Sequence, residues 1–461
     1  MPATAACMFG VWFWVHSGSE CRFCSIGLPV VESLKQSVVH FLSTLHLGGE
    51  RHQAVIRVFL VRASGAAVQF LFFLLLAKQI GAEGFGLFSL GYALLLIAAS
   101  IARWGVDQIV LRHMSAHAAD SERPLFVSVF AHGVLLVAGF GVTVSSVSLL
   151  IWEALEIDTA LLPFVLAVLP FSLLYYLGEC MRARDMQLRA AALQVLMVPL
   201  GALLIMVLSE KTSLVGAVSA FMISCVFMCA SGYFYWWYHE CRGVSVEWSR
   251  KQLDVLLSSA TPLALAGIVS TWLGFSETLM LGVFRSKEEV AGYSAALRAL
   301  FLFGFVIVAV NNVLAPRFAV LFRQNAWSTI LGTVKRSGML TLLATAPLLV
   351  LFFIFSEDIM NIFGDSFIHA ASALRILLLG QLILSLSGTL GTALIMCGRE
   401  QEFKRIIILS AIFNLFMSPF FVWAWGENGA AASAVVTIAV ANTMCLSAVR
   451  HMCGQKENVK P

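Results

Sequence analysis

Four ionisable side chains lie inside long apolar segments of this sequence, where charge is expensive. Glu277 interrupts the segment 256–284, which is otherwise almost wholly apolar, and Arg298 lies in the next apolar segment. Arg62 and Arg103 hold comparable positions near the start of the apolar region. An unpaired charge at the centre of a bilayer costs about 2.5–3.5 kcal/mol. Each of the four therefore needs a partner or a function: a carboxylate can pair with a guanidinium or take up a proton or cation, and a guanidinium can bind an anion.

The composition indicates which solvent surrounds these charges. The chain has 461 residues, of which 59% are hydrophobic and only 12% are charged, and its mean hydropathy is +0.88. Soluble domains carry about 25% charged residues. Apolar stretches of roughly 20 residues recur, each long enough to cross about 30 Å of hydrocarbon as a helix. The sequence therefore predicts an all-α, polytopic integral membrane protein.

The apolar stretches divide into twelve predicted transmembrane helices. The distribution of Lys and Arg predicts their orientation, because cytoplasmic loops carry the excess of positive charge. With the first span entering from the cytoplasm, the inner loops and tails from Arg51 onward hold 21 basic residues, and the outer loops hold four. Both termini are therefore expected in the cytoplasm, and the net charge of +4 does not indicate nucleic-acid binding. The predicted spans are 56–78, 86–110, 125–151, 160–181, 187–209, 213–238, 255–284, 290–314, 335–356, 371–396, 404–424 and 429–449.

Twelve spans divide as six plus six around a polar inner connector. Sliding the sequence by 205 residues lays "GAEGFGLFSLGYALLL" over "SKEEVAGYSAALRALF", so that Ser89 meets Ser294 and Arg112 meets Arg317. An even number of spans in each half gives parallel repeats, as in transporters that rock two lobes around a central site. The expected domains are an N-terminal extension 1–54, a six-helix lobe 55–238, the connector 239–254, a second six-helix lobe 255–450 and a tail 451–461. The extension is expected to be unstructured or to form an amphipathic helix over 30–46.

Three segments resemble one family of exporters. "LLLAKQIGAEGFGLFSLGYALLLIAASIARWGVDQIVLRHMS" resembles the N-terminal signature of bacterial polysaccharide flippases, in the multidrug/oligosaccharidyl-lipid/polysaccharide (MOP) exporter superfamily. "EEVAGYSAALRALFLFGFVIVAVNNVLAPRFAVL" is similar to the start of that family's second half, and "FGDSFIHAASALRILLLGQLILSLSG" to its motif around span ten. The resemblance covers about 55–450. It implies two six-helix lobes in a V and the movement of undecaprenyl-pyrophosphate-linked oligosaccharide from the inner to the outer leaflet.

That activity gives the arginines a role. A pyrophosphate-linked sugar cannot cross the hydrocarbon core without a protein, because the free-energy cost of burying its charge and its unpaired hydroxyls is too large. A guanidinium can bind phosphate oxygens through two parallel hydrogen bonds. Arg62, Arg103 and Arg298 are therefore the candidate pyrophosphate ligands.

The depths of Arg62 and Arg103 support a basic entrance on the inner side. At about 1.5 Å per residue, Arg62 lies roughly 8 Å inside the inner edge of span one, and Arg103 about 25 Å in from the outer edge of span two. The alternatives are that Arg62 snorkels to the interface and that Asp107, four residues after Arg103, neutralises it.

Glu277 and Arg298 are expected to pair. Spans seven and eight are joined by a short outer loop, and both residues lie about 10–12 Å from it. The pair is either a structural bridge or a switch in which a proton or cation at Glu277 releases Arg298 to the substrate. The acidic position in span seven is common in the resembling family, where H⁺ or Na⁺ is the implied coupling ion.

Amides complete the candidate site. Gln69, Asn311 and Asn312 could line the cavity or link helices, and Asn414 and Asn442 are expected to link helices. No catalytic residues, cofactor or metal are expected, while a polysaccharide polymerase is a candidate partner besides the membrane lipids.

Three other functions compete with polysaccharide flipping. A multidrug or cation antiporter of the same superfamily should have an acid-rich cavity. In this sequence, the basic residues deep in the predicted spans are at least as many as the acidic ones. A lipid II flippase usually has two further spans. A membrane glycosyltransferase or polymerase needs a large outer loop or an inner acidic motif, and neither is visible in the sequence.

Overall fold

The computed structural model of the chain describes residues 49–116, 123–154, 158–209 and 213–457, and every regular element in those ranges is helical. The chain divides into two compact units, Met1–Arg57 and Val58–Pro461. In the first unit, the described residues 49–57 are helical. The amphipathic helix predicted over 30–46, like most of the extension 1–54, lies outside the described residues.

The helices follow the predicted apolar stretches closely. Short 3₁₀ helices cover Thr159–Leu161 and Asp365–Ala370, and π-helical turns cover Ala192–Met197 and Trp237–Cys241. The α-helices are α1 (Gly49–Arg103), α2 (Val106–Ala116), α3 (Arg123–Ala154), α4 (Leu162–Ala183), α5 (Gln187–Ala191), α6 (Val198–Leu208), α7 (Leu214–Trp236), α8 (Arg250–Phe284), α9 (Lys287–Ala299), α10 (Phe301–Arg323), α11 (Trp327–Ile354), α12 (Ser356–Asn361), α13 (Ala371–Ser387), α14 (Leu390–Met396) and α15 (Glu400–Glu457).

Ten helical segments among the described residues are long and apolar enough to cross a membrane. Two of them, Arg57–Arg103 and Glu400–Gly454, have 47 and 55 residues, at least twice the roughly 20 that one crossing needs. Each is broken by a glycine with a positive φ, Gly81 at 71° and Gly426 at 58°. Glycine adopts this conformation without the steric strain of a Cβ. Each long segment could thus supply two of the predicted spans, and the total of twelve stays a prediction.

Two further breaks divide predicted spans two and eight. Trp104 (φ 44°) and Gly105 (φ 70°) separate α1 from α2, and Leu300 separates α9 from α10. A broken helix exposes carbonyl groups that lipid cannot satisfy, so such breaks occur where protein or a wet cavity surrounds them. The first break directly follows Arg103, and the second lies two residues after Arg298.

The parts of the chain before and after the connector 239–254, here called the two halves, meet at the end that carries Gly81, Arg285 and Gly426, here called the short-turn end. Lys287 Nζ lies 3.2 Å from Glu83 Oε1. The Phe85 ring packs edge-on against Phe367 at 5.6 Å. A Cβ on Gly86 would overlap the Lys287 carbonyl oxygen, so these backbones are in direct contact. The two halves are therefore closed against each other here.

Large apolar side chains cover the outside of the helix bundle. Leu208, Phe416 and Val283 expose 82%, 75% and 71% of their surface. Such exposure is unfavourable in water and neutral in lipid. The chain is therefore a multi-pass membrane protein.

Candidate functional site

Arg298 lies in the last turn of α9 and is only 7% exposed. Its guanidinium carbon is 3.9 Å from the centre of the Phe73 ring and 5.3 Å from the rings of Tyr92 and Phe301. Its buried Nε has no hydrogen-bond partner among the described residues. Ring faces attract a cation, and so does the C-terminal end of a helix. The charge is therefore stabilised by aromatic rings of both halves and by its position at a helix end, and no carboxylate of the described residues forms an ion pair with it.

Arg103 occupies the same kind of position, the last turn of α1. Its Nε lies 3.1 Å from Asp107 Oδ2, and both side chains are 16% exposed. Its guanidinium carbon is 5.1 Å from the centre of the Tyr175 ring on α4. The predicted local neutralisation by Asp107 is therefore confirmed, although only Nε of the guanidinium makes this ion pair.

Arg62 and Gln69 lie on the first arm of α1, between Gly49 and the break at Gly81. Arg62 is half-buried. Gln69 Nε2 donates to the Tyr92 hydroxyl at 3.4 Å. Because Tyr92 follows the break at Gly81, this bond links the two arms of α1.

A cavity lies inside the first half, beside these groups. Its space is about 60 Å³, room for a few water molecules and less than small-molecule sites have. Tyr92 and Phe73, which stack on Arg298, and Tyr175, which stacks on Arg103, form part of its wall. The lining residues are Gln69, Phe72, Phe73, Tyr92, Phe171, Tyr175, Gln194, Val195, Val198, Pro199 and Phe221.

One wall of the cavity is the π-helical turn Ala192–Met197 between α5 and α6. It carries Gln194, whose Nε2 donates to Glu179 Oε1 at 3.1 Å and to the Tyr175 carbonyl at 3.2 Å. A Cβ on Gly178 would overlap the Gln194 amide, so this glycine leaves the space that the amide fills. Glu179 also forms an ion pair with Arg182, whose Nη1 lies 2.8 Å from Glu179 Oε2.

Glu277 is 3% exposed and lies in a separate polar cluster. Its Oε1 accepts from Asn414 Nδ2 at 2.7 Å, and its Oε2 accepts from the Ser276 hydroxyl at 2.9 Å. Asn414 Nδ2 also donates to Thr437 Oγ1 at 3.2 Å. These contacts tie α8 to both arms of α15, on either side of the break at Gly426.

The predicted ion pair between Glu277 and Arg298 is wrong in this conformation. Equal depth on neighbouring helices fixes one coordinate only, and the rotation of each helix decides what a side chain faces. Here Arg298 faces Phe73 of the first half, and Glu277 faces Asn414. Asn414, expected only to link helices, is thus a direct partner of the buried acid.

The remaining predicted amides lie apart from the cavity. Asn311 Nδ2 donates to the Gly388 carbonyl at 3.2 Å, and Asn312 is exposed. Asn442 bonds the Ile438 carbonyl of its own helix instead of a neighbouring helix. Within the described ranges, no three His, Cys, Asp or Glu side chains form a group that could hold a metal ion.

The fold is shared with membrane transporters of known structure. An inward-facing multidrug resistance MATE family transporter of the MOP superfamily has the same fold, with a TM-score of 0.72 over 87% of this chain and 100% of that chain at 14% identity. Lipid II flippase MurJ in an inward closed conformation follows, with a TM-score of 0.67 over 86% of this chain and 87% of that chain at 14% identity.

The particular family is given by the sequence. Residues 53–322, more than half of the chain, match the family described as "Polysaccharide biosynthesis protein", and residues 262–420 match the MatE family. The chain belongs to the polysaccharide biosynthesis protein family, the polysaccharide flippases of the MOP superfamily.

Two curated relatives are similar over part of the chain. The probable low-salt glycan biosynthesis flippase Agl15 of Haloferax volcanii is 23% identical over 178 residues, 38% of this chain and 37% of that protein. The uncharacterized membrane protein MJ1068 of Methanocaldococcus jannaschii is 26% identical over 192 residues, 41% of this chain and 38% of that protein. The matches span less than two fifths of either relative. The relatives and structures of named activity are flippases and transporters.

Proposed function

We propose that this protein moves an oligosaccharide linked to undecaprenyl pyrophosphate from the inner to the outer leaflet of the cytoplasmic membrane. The observation that supports this most directly is Arg298, a buried guanidinium that contacts aromatic rings and, in the described part of the chain, pairs with no carboxylate. A buried charge without a counter-ion is costly to maintain, and an anionic substrate would supply that counter-ion. The family membership, and the similarity to Agl15 as a probable glycan biosynthesis flippase, support a glycan substrate.

Arg62, Arg103 and Arg298 are the proposed ligands of the pyrophosphate. Arg103 and Arg298 each lie in the last turn of a helix inside the apolar region, and each guanidinium lies over an aromatic ring. In a wet cavity between a lobe 55–238 and a lobe 255–450, their planar forks could hold phosphate oxygens while the lipid tail stays in the bilayer.

The closed short-turn end supports loading from the cytoplasmic side. With both termini in the cytoplasm, the contacts of Gly86 and Glu83 with Lys287 would seal the outer side. Rocking of the two lobes would break these contacts and release the glycan outside, where a polysaccharide polymerase could take it up. An inside-negative potential assists the outward step, by about 2.3 kcal/mol per charge and 100 mV.

Glu277 is the proposed site of the coupling ion. Its carboxylate, Thr437 Oγ1 and the Asn414 side chain supply oxygen atoms, which suit Na⁺, and the carboxylate alone suits a proton. The buried Oδ1 of Asn414 has no hydrogen-bond donor, so an oxygen that could accept a cation is present. Binding there would alter the contacts that tie α8 to both arms of α15.

A multidrug or cation antiporter remains the second candidate, because Glu277 is a buried acid with no cationic side chain in contact. Such a protein would bind an organic cation at Glu277 and would leave lipid-linked sugars where they are. The same reconstituted system separates the two functions.

The test uses the full chain in proteoliposomes with a fluorescent undecaprenyl-pyrophosphate disaccharide and, separately, a cationic dye. At a membrane potential clamped to zero, a tenfold H⁺ or Na⁺ gradient is worth about 1.4 kcal/mol and supports up to a tenfold enrichment of the lipid in one leaflet for one coupled ion. We expect the wild type to flip the lipid and one of the two gradients to enrich it.

Glu277→Gln should still equilibrate the lipid between leaflets but lose the enrichment. Glu240→Gln is the matched control, since Glu240 is also buried and acidic but pairs with Arg184 far from Glu277 along the chain. Full gradient-driven enrichment in well-folded Glu277→Gln protein would exclude the coupling role. Dye movement with a stationary lipid would establish the antiporter instead.

A further inference from the structure

We propose that this protein has a second lipid site, which binds the phosphate group of an anionic phospholipid and is separate from the arginines assigned to the pyrophosphate. The site consists of Arg189, Tyr235, Tyr238, His239 and Arg242, here called the stacked row. It lies where the short helix α5 meets the end of α7 and the π-helical turn that follows α7.

The side chains of the stacked row follow one another in contact. The guanidinium carbon of Arg189 lies 5.2 Å from the centre of the Tyr235 ring, and its Nη1 donates to the Tyr235 hydroxyl. The Tyr235 ring centre is 4.4 Å from that of His239, which is 5.2 Å from that of Tyr238. The guanidinium carbon of Arg242 lies 5.3 Å from the centre of the Tyr238 ring. The row therefore has an arginine at each end and three rings between them.

The backbone under the row is held in place by other parts of the chain. The N–H of Arg242 donates to the Trp237 carbonyl at 2.9 Å, a five-residue step that ends the helix in a π-helical turn. Arg123 Nη2 on α3 donates to the carbonyls of His239 and Glu240 at 2.9 and 3.3 Å. Single π-helical turns are frequent at functional sites. The row is thus arranged before any ligand binds, which lowers the entropy cost of binding.

Neither arginine of the stacked row has a carboxylate partner in the described part of the chain. Glu240, the acid inside the same π-helical turn, is buried and pairs with Arg184 Nε at 3.4 Å. Other arginines near the surface do have a glutamate partner: Arg182, Arg375 and Arg399. In the row, rings cover the faces of the guanidinium groups, and most N–H groups at their edges have no acceptor among the described residues. The edges are the part of a guanidinium that binds phosphate oxygens.

Exposed aromatic side chains indicate that the row lies at a membrane surface. Phe234 and Trp237 expose 67% and 54% of their surface, and Tyr238 is exposed beside them. Aromatic side chains, tryptophan and tyrosine above all, are enriched where the hydrocarbon core meets the lipid headgroups. In the predicted topology α7 runs inward, so the row faces the headgroups of the inner leaflet.

The phosphate of an anionic phospholipid fits these features best. The cytoplasmic leaflet carries a negative surface charge, and the acyl chains of a lipid would cover Phe234 and Trp237. Inorganic phosphate would leave those side chains uncovered, and a zwitterionic lipid would bring its own cation towards the arginines. A lipid bound here would hold the start of the connector 239–254, which joins the two halves, against the inner leaflet.

The test compares two double variants that lose the same charge. Arg189→Gln with Arg242→Gln removes both ends of the row. Arg375→Gln with Arg399→Gln is the matched control, because each of those arginines already pairs with a glutamate. Tyr238→Leu keeps every charge and removes the ring that Arg242 contacts.

Binding to the purified full chain in a neutral detergent is measured by microscale thermophoresis, with the thermal transition recorded for every variant. The probes are dioleoyl phosphatidylglycerol, dioleoyl phosphatidylcholine, inorganic phosphate and undecaprenyl pyrophosphate. The first two probes have the same acyl chains and differ in net charge, and the third has no acyl chain. The fourth is the lipid carrier of the proposed substrate.

We expect the wild type to bind phosphatidylglycerol about tenfold more tightly than phosphatidylcholine. One basic residue beside an anionic lipid surface changes affinity about fivefold, so the double row variant should bind phosphatidylglycerol about 30-fold more weakly. The control pair should lose less than about threefold, the effect of surface charges that are already paired. Tyr238→Leu should lose about 2- to 5-fold, the effect of one exposed cation–π contact. Undecaprenyl pyrophosphate should bind all of these variants as it binds the wild type.

Four results would overturn the phospholipid site. They are equal wild-type affinities for the two phospholipids, undiminished phosphatidylglycerol binding in the double row variant or in Tyr238→Leu, an equal loss in the control pair, and inorganic phosphate binding as tightly as phosphatidylglycerol. A matching loss of undecaprenyl pyrophosphate binding in the double row variant would also overturn it, by assigning the row to the transported lipid. The proposed function depends on Arg298 and stands under each of these results.

Discussion

Replacing Arg298 by methionine tests whether its charge serves the substrate or the fold. Desolvating an ion costs several kcal/mol. Against this, the ring contact at 3.9 Å contributes about 2 kcal/mol and the two at 5.3 Å about 0.5–1 kcal/mol each. The end of α9 adds up to about 2 kcal/mol. The terms nearly cancel, so Arg298→Met should unfold with a free energy within about 2 kcal/mol of the wild type.

The affinity for the lipid should change much more than the stability does. A charge-assisted hydrogen bond contributes about 1.5–3 kcal/mol, so losing the guanidinium should weaken the binding of undecaprenyl pyrophosphate about 10- to 100-fold. Both quantities can be measured on one preparation, unfolding by denaturant titration in detergent and binding by thermophoresis. Arg375→Met is the control, because Arg375 pairs at 3.0 Å with the largely exposed Glu357, and such surface pairs contribute about 0–1 kcal/mol.

The reasoning fails on either of two results. A loss of more than about 3 kcal/mol in stability would match the rupture of a buried ion pair and would make Arg298 a structural clamp. Unchanged lipid affinity in a folded Arg298→Met protein would remove the arginine from the substrate site.

Two other variants test the conformation and the ion site. In Gly86→Ala the new methyl group meets the Lys287 carbonyl oxygen, so the short-turn end should open. Amide hydrogen exchange should then accelerate at the start of α9, and flipping should slow. Unchanged exchange would contradict the closed contact. Asn414→Leu removes the donor to Glu277 Oε1, so the variant should lose about 1–3 kcal/mol of unfolding free energy and the gradient-driven enrichment of the lipid. Retained enrichment would place the coupling ion elsewhere.

The sequence predicted those features that depend on local spacing. Apolar stretches of bilayer length became helices, and the i, i+4 spacing of Arg103 and Asp107 gave the observed ion pair. The predicted ion pair between Glu277 and Arg298 was wrong because the sequence gives the depth of a residue along its helix but not the rotation of the helix about its axis. That rotation depends on packing between distant segments, such as Arg298 against Phe73.

The cavity could not be predicted for a related reason. Its π-helical turn has no sequence signature, and the fit of Gln194 against Gly178 joins two helices through tertiary packing. Of the two helix breaks, only the first is indicated by the sequence. Gly105 follows Arg103 closely, whereas the break at Leu300 lies in a continuous apolar run.

These two breaks explain why an arginine can remain deep in an apolar protein before the substrate arrives. At each, a helix ends directly after the arginine, and an aromatic ring from another helix covers the guanidinium. Ring faces and helix ends attract a cation more weakly than a carboxylate does, so an incoming phosphate can compete with them. Arg298 has only such partners, whereas Arg103 also has Asp107. The pyrophosphate should therefore gain more from Arg298, and Arg298→Met should weaken lipid binding more than Arg103→Met does. The opposite ranking in the same binding assay would show that the carboxylate-paired arginine is the main phosphate ligand.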